Sequence, residues 1–67
     1  MGTDSLEGRE VYVELHRIGQ IVKATAMDTQ TLTEVVTQGP VSAGEKALKE
    51  AAIRRLEYVL RKKGILT

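Results

Sequence analysis

The stretch RRLEYVLRKK, residues 54–63, carries five cationic side chains, one glutamate and a tyrosine. Arginines and lysines at this density can grip phosphates, and a tyrosine among them can stack on a base or hydrogen-bond. A second residue with chemical potential is His16, the only side chain here that ordinarily titrates near neutrality. Glu14 lies two positions before it. On a strand, residues i and i+2 share a face but stand about 7 Å apart, so the two do not form an acid–base dyad. The chain holds no Ser/His/Asp set, no phosphate-cradling glycine loop and no cysteine. One histidine without cysteines does not make a zinc centre. No catalytic residue, cofactor site or metal site is expected, and the chain reads as a non-enzyme. A small-molecule substrate is not expected either, because the chain lacks room for a pocket and its supporting shell.

The elements that position these residues follow from periodicity. In EVYVELHRI, residues 10–18, Val11, Val13 and Leu15 alternate with Tyr12, Glu14, His16 and Ile18. This is the period-two pattern of a half-buried strand. Gly19-Gln20 separates it from IVKATAM, residues 21–27, and Gly at the first central position suits a type II′ turn. That hairpin sets Ile18 opposite Ile21, His16 opposite Lys23, Glu14 opposite Thr25 and Tyr12 opposite Met27. The other face is then Val11, Val13, Leu15, Val22, Ala24 and Ala26, almost wholly aliphatic. A slip by one residue would mix the faces. Asp28-Thr29-Gln30-Thr31 reads as a turn, and LTEVVTQ, residues 32–38, as a third, β-branched strand. Gly39-Pro40 is expected to end the sheet, since proline cannot donate to a ladder.

A helix over about 43–63 is signalled at both ends. Ser42-Ala43-Gly44-Glu45 matches a capping box. Arg61, Lys62 and Lys63 suit the negative end of the helix dipole. Gly64 is placed for a left-handed cap, with Ile65 against Leu60. Leu48, Ala52, Ile53, Leu56, Val59 and Leu60 form one stripe that should pack on the aliphatic sheet face. The expected fold is α+β: a three-stranded antiparallel β-meander with one C-terminal helix packed on one face, β-β-β-α. Residues 1–8 are expected to be a frayed polar tail and residues 9–67 a single domain. MGTDSLEG has neither the basic nor the apolar region of a signal peptide. No apolar run approaches the roughly 20 residues needed to span a bilayer. A cysteine-free composition fits a reducing compartment, so the expected location is the cytoplasm.

Placed on this scaffold, the basic stretch divides. Leu56, Val59 and Leu60 belong to the core. Arg54, Arg55, Arg61 and Lys62 surround Tyr58 on the opposite side, above a strip of small residues, Gly44, Ala47 and Ala51. Residues 1–41 hold six acidic against three basic residues, −3, and residues 42–67 seven basic against three acidic, +4, within a net charge of +1. This asymmetry fits a nucleic-acid surface, or attraction between the two halves of one or two molecules. The bland reading of the helix has Glu50 and Glu57 pairing with Arg54 and Arg61, and Tyr58 lying over arginine stems. The uncovered sheet face presents Tyr12, Ile18, Ile21 and Met27, a cluster that suggests a contact site. The strand edges offer a further route to self-association. With no Phe or Trp, a core this small is marginal alone, which also favours a homo-oligomer. The candidate interaction surface is therefore Tyr12, Ile18, Ile21, Met27, Arg54, Arg55, Tyr58, Arg61 and Lys62. The leading reading is a small protein-interaction module that self-associates or binds another protein. The alternative is nucleic-acid binding by the basic helix; docking by the open sheet is disfavoured because that face offers only Lys23 and His16 against Glu14.

Residues 9–63 also resemble a family of very small uncharacterised bacterial proteins of alphaproteobacterial type. The resemblance rests on Arg17-Ile18-Gly19, Val22-Lys23, Ala26-Met27-Asp28, Glu34-Val35, Gly39-Pro40 and Arg55-Leu56-Glu57-Tyr58-Val59-Leu60 taken together. The family has no established activity, so the resemblance implies a stand-alone domain and carries over no catalytic residue. Family members have Thr-Gly in the turn before Glu-Val. This chain has Thr31-Leu32, so a different turn conformation is expected.

Overall fold

A computed structural model describes residues 8–66 of the chain. The tail expected over residues 1–8 lies, apart from Gly8, outside the described residues. Three eight-residue strands, β1 (Val11–Ile18), β2 (Ile21–Asp28) and β3 (Thr33–Pro40), form one antiparallel sheet in the order β1-β2-β3. A 3-10 turn at Val41–Ala43 leads into the helix α1 (Glu45–Lys62), which lies chiefly over β2 and β3. The fold is the expected β-β-β-α meander with one helix on one face.

The β1–β2 register pairs Ile18 with Ile21, His16 with Lys23, Glu14 with Thr25 and Tyr12 with Met27, as the alternation requires. Gly19 has φ +63 and Gln20 does not share a positive φ, so the turn is of the II′ kind rather than I′. The helix-facing side of β2 is Val22, Ala24, Ala26 and Asp28, all buried. Ala24 and Ala26 join Val35, Ala52, Leu56, Leu60 and Leu66 in one core cluster. Alanines on the central strand bring the helix close, and Leu56 and Leu60 are then enclosed completely. Burying each of these leucines contributes on the order of 2–3 kcal/mol. Val11, Val13 and Leu15 are only half-buried, because the helix leaves the β1 margin partly uncovered.

Two expectations are corrected. First, the sheet does end at Pro40, but Gly39 and Pro40 are the last two residues of β3 rather than a stop placed after it, with Pro40 opposite Ile21. The Val41 N–H donates to the Gln20 carbonyl at 2.9 Å, so ladder bonds flank the Ile21–Pro40 pair rather than joining it. The proline nitrogen therefore faces outward on an edge strand, where no donor is required. Gly39, one step earlier, is needed for a different reason. A Cβ there would stand 2.7 Å from Leu48 Cδ2, so the missing side chain makes room for the first helical turn.

Second, the capping box does not form. Ser42 lies inside the 3-10 turn, and the helix starts at Glu45 with Gly44 at the N-cap, φ +90, and no side-chain cap bond. The chain must leave the edge of the sheet and reverse onto its helix-facing side within a few residues. The tight turn, closed by Gly44 N–H on the Val41 carbonyl at 3.2 Å, and the glycine's positive φ make that reversal. The C-terminal expectation holds. Gly64, φ +80, donates to Arg61 O at 3.0 Å, and Ile65 N–H donates to Leu60 O at 2.9 Å. This is a Schellman motif, and it swings Leu66 into the core.

Candidate functional site

The face of the sheet away from α1 is open. Its side chains form four rows across the strands: Tyr12–Met27–Glu34, Glu14–Thr25–Val36, His16–Lys23–Gln38 and Ile18–Ile21–Pro40. Tyr12 is 54% exposed, Ile18 53%, Ile21 42% and Val36 55%, while Met27 is half-buried by its neighbours. The strands bring Tyr12, Ile18, Ile21 and Met27 onto one surface, with the apolar residues gathered at its two ends. Glu14, His16 and Lys23, all exposed, occupy the middle. Val36 belongs to this face and was not singled out from the sequence. Its position follows from pairing with Thr25, so extending the alternation into β3 would have found it.

The helix carries the other candidates on a separate surface. Arg54, Arg55, Tyr58, Arg61 and Lys62 are all exposed. The Arg55 guanidinium carbon stands 5.6 Å from the Tyr58 ring centroid and Lys62 Nζ stands 5.9 Å from it, both within cation–π range. Glu57 Oε2 is 4.0 Å from Arg61 Nη2, the i,i+4 pairing expected for a solvated helix. Ala51 is half-buried and Ala47 exposed beside this cluster. The nine candidates thus fall into two groups on opposite sides of the molecule: four on the open sheet and five on the helix.

A shallow cavity of about 240 Å³ opens where the helix start meets the sheet, lined by Leu15, Arg17, Val22, Val41, Glu45 and Leu48. It falls below the roughly 300–1,000 Å³ of ordinary ligand pockets. Among the described residues, no group of three or more His, Cys, Asp or Glu side chains could hold a metal ion.

A buried polar cluster at the far end of the sheet was not foreseen. Asp28 is fully buried on the helix-facing side. Arg9 Nε donates to Asp28 Oδ1 and Arg9 Nη2 to Oδ2, both at 3.0 Å. Thr31 donates its N–H at 3.1 Å and its hydroxyl at 2.7 Å to Oδ2. Thr33 and Thr31 hydroxyls lie 2.8 Å apart, and Lys63 Nζ reaches Thr33 Oγ1 at 3.5 Å. The Arg9 hydrogen bonds, with the Thr31 donors, pull the Asp28 pKa down from 3.8 to about 2 against the opposing effect of burial. Asp28 in turn raises the Arg9 pKa. The only sequence signal was an aspartate at the end of an aliphatic, inward-facing row. Its place at the head of Asp28-Thr29-Gln30-Thr31 fits turn chemistry equally well.

In that turn, Leu32 adopts φ +59, the left-handed region that favours glycine. Thr31-Leu32 therefore places a leucine in a backbone conformation that glycine adopts more readily. The Leu32 N–H closes the turn on the Asp28 carbonyl at 2.7 Å.

The fold and its surfaces define a class: a small one-sheet, one-helix domain with one mixed apolar and charged sheet face uncovered. A family model described as a domain of unknown function, DUF6898, matches residues 8–63, and the chain belongs to that family. No curated protein and no solved structure gives a match. Among the described residues, no helix is long and apolar enough to cross a membrane.

Proposed function

We propose that this chain is a small, non-enzymatic interaction module of the bacterial cytoplasm, and that it works by covering its open sheet face with another protein surface, in the first instance a second copy of itself. The observation that carries this reading is the exposure of Tyr12, Ile18, Ile21 and Val36 on one side of a single sheet. Scattered apolar residues are ordinary on a protein surface; four on one flat face, with Met27 beside Tyr12, make a contact surface. The cysteine-free composition fits the cytoplasmic setting.

Binding nucleic acid through Arg54, Arg55, Arg61 and Lys62 has weaker support. Arg55 and Lys62 already lean on Tyr58, and Glu57 stands beside Arg61. The test of the leading reading is sedimentation of the wild type and Ile21→Glu over a range of concentrations. Ile21 is exposed in the single chain, so a charge there should leave the fold intact and give a monomer. A wild type that stays monomeric, or a variant of unchanged mass, removes the proposal. A salt-sensitive shift with DNA or RNA, lost on neutralising the four helix cations, would move the function to the helix.

A further inference from the structure

The order of side chains on the open face also says how two copies would meet. From one end to the other, the rows run apolar with an edge acid (Tyr12, Met27, Glu34), acidic (Glu14, with Thr25 and Val36), basic (His16 and Lys23, with Gln38), and apolar (Ile18, Ile21, Pro40). Reversed end for end, this pattern complements itself: apart from Glu34, which falls at the edge opposite Pro40, apolar residues match apolar ones, and the acidic row matches the basic one.

We propose that two copies stack their open sheet faces about a two-fold axis running across the strands, midway between the Glu14–Thr25 row and the His16–Lys23 row. Glu14 of each copy then faces His16 of the other, with Lys23 of the other alongside. Tyr12 faces Ile18 and Met27 faces Ile21 across the same interface. Sheets pair face to face in this aligned manner about 10 Å apart, with side chains interdigitating. The competing two-fold axis, running along the strands, is excluded by charge. It lays the central strand on its own copy at the same level, so Lys23 meets Lys23, and it leaves Glu14 over Val36. Like charges brought together in an interface strongly disfavour it. The same rule makes the first arrangement self-selecting, because each of its two symmetric contacts pairs opposite signs.

The size of the face sets the strength. Three strands of eight residues span roughly 26 Å by 14 Å. That is small beside the roughly 800 Å² per partner of a standard interface. The dimer is therefore a concentration-dependent one, and charge at its centre has a visible effect.

This inference rests on the self-association reading, and its test separates the two. Glu14→Lys and Lys23→Glu are made singly and studied by sedimentation, alone and mixed. Alone, each variant places like charges at both symmetric contacts and should dimerise at least about tenfold more weakly than wild type. Mixed in equal amounts, a Glu14→Lys chain meets a Lys23→Glu chain with opposite charges at both contacts, and dimer should return as the heterodimer. Because the contacts within each chain do not change on mixing, recovery reports the interface alone, and it also shows that both variants are folded. Variants that dimerise like wild type, or weakened variants that mixing does not restore, overturn this arrangement while leaving self-association through Ile21 in place. A monomeric wild type removes both.

Discussion

Asp28 shows how one buried residue can tie together parts of the fold that lie far apart in the chain. It ends β2, faces inward, and would be a costly buried charge without its partners. Arg9 and Thr31 supply four donors, so the carboxylate is held ionised and its pKa falls to about 2. The sign of the pH effect follows. A carboxylate with a depressed native pKa adds stability that is full above its unfolded pKa, near 3.8, and is lost as pH falls from there towards about 2. Urea unfolding of wild type and Asp28→Asn between about pH 2 and pH 6 should show the wild type more stable at the upper end and the gap closing below about pH 4. A gap that stays constant with pH would mean that the ion pair contributes nothing specific. In the sequence, Asp28 has the look of a turn residue and nothing more. The partner that matters, Arg9, is nineteen positions away and just before β1, a distance across which periodicity says nothing.

The two ends of the helix teach different lessons. Both carried sequence signals of the same standing, a capping box at Ser42 and a glycine cap at Gly64. The C-terminal signal is local: the last turn, Gly64 and Ile65 complete it by themselves, and it forms as expected. The N-terminal signal competes with a tertiary demand, the reversal of the chain off the edge of β3, and loses. Ser42 is drawn into the 3-10 turn and Gly44 takes the cap position. The contrast is measurable. Ser42→Ala should leave the unfolding midpoint nearly unchanged, where loss of a working serine cap costs about 1 kcal/mol. Gly64→Ala should cost about 1 kcal/mol, since φ +80 disfavours any residue with a Cβ. Equal losses at the two positions would restore the capping box. The strands were legible down to register because one face had to be aliphatic, and only one pairing of β1 and β2 achieves that. β3 runs two residues further than the sequence indicates, through Gly39-Pro40, because the rule against proline in sheets holds for central strands, and β3 is an edge.

At the scale of the whole molecule, one helix cannot cover both sides of a sheet, and this chain has no second layer among the described residues. Among the described residues, nine buried hydrophobic residues fill the helix-facing side, three of them alanines and none aromatic. The open side holds both β-branched isoleucines of the first hairpin and one of the chain's two tyrosines. That distribution was readable from the sequence, because alternation assigns every strand residue to one face. The division of the helix candidates from the sheet candidates was readable too. What the sequence could not weigh was the charge order along the open face in relation to a two-fold axis, which needs β3 in register. If that face is buried by a second copy, folding and association are linked, and the unfolding temperature depends on protein concentration. A tenfold increase in concentration above the dimer's dissociation constant adds about 1.4 kcal/mol per dimer, which for two chains of this length corresponds to a rise of about 3–6 °C. The rise should vanish in Ile21→Glu, whose unfolding temperature should match that of dilute wild type. A wild-type unfolding temperature that stays fixed from micromolar to millimolar protein would mean that the small aliphatic core suffices by itself and that the open face is kept for a different partner.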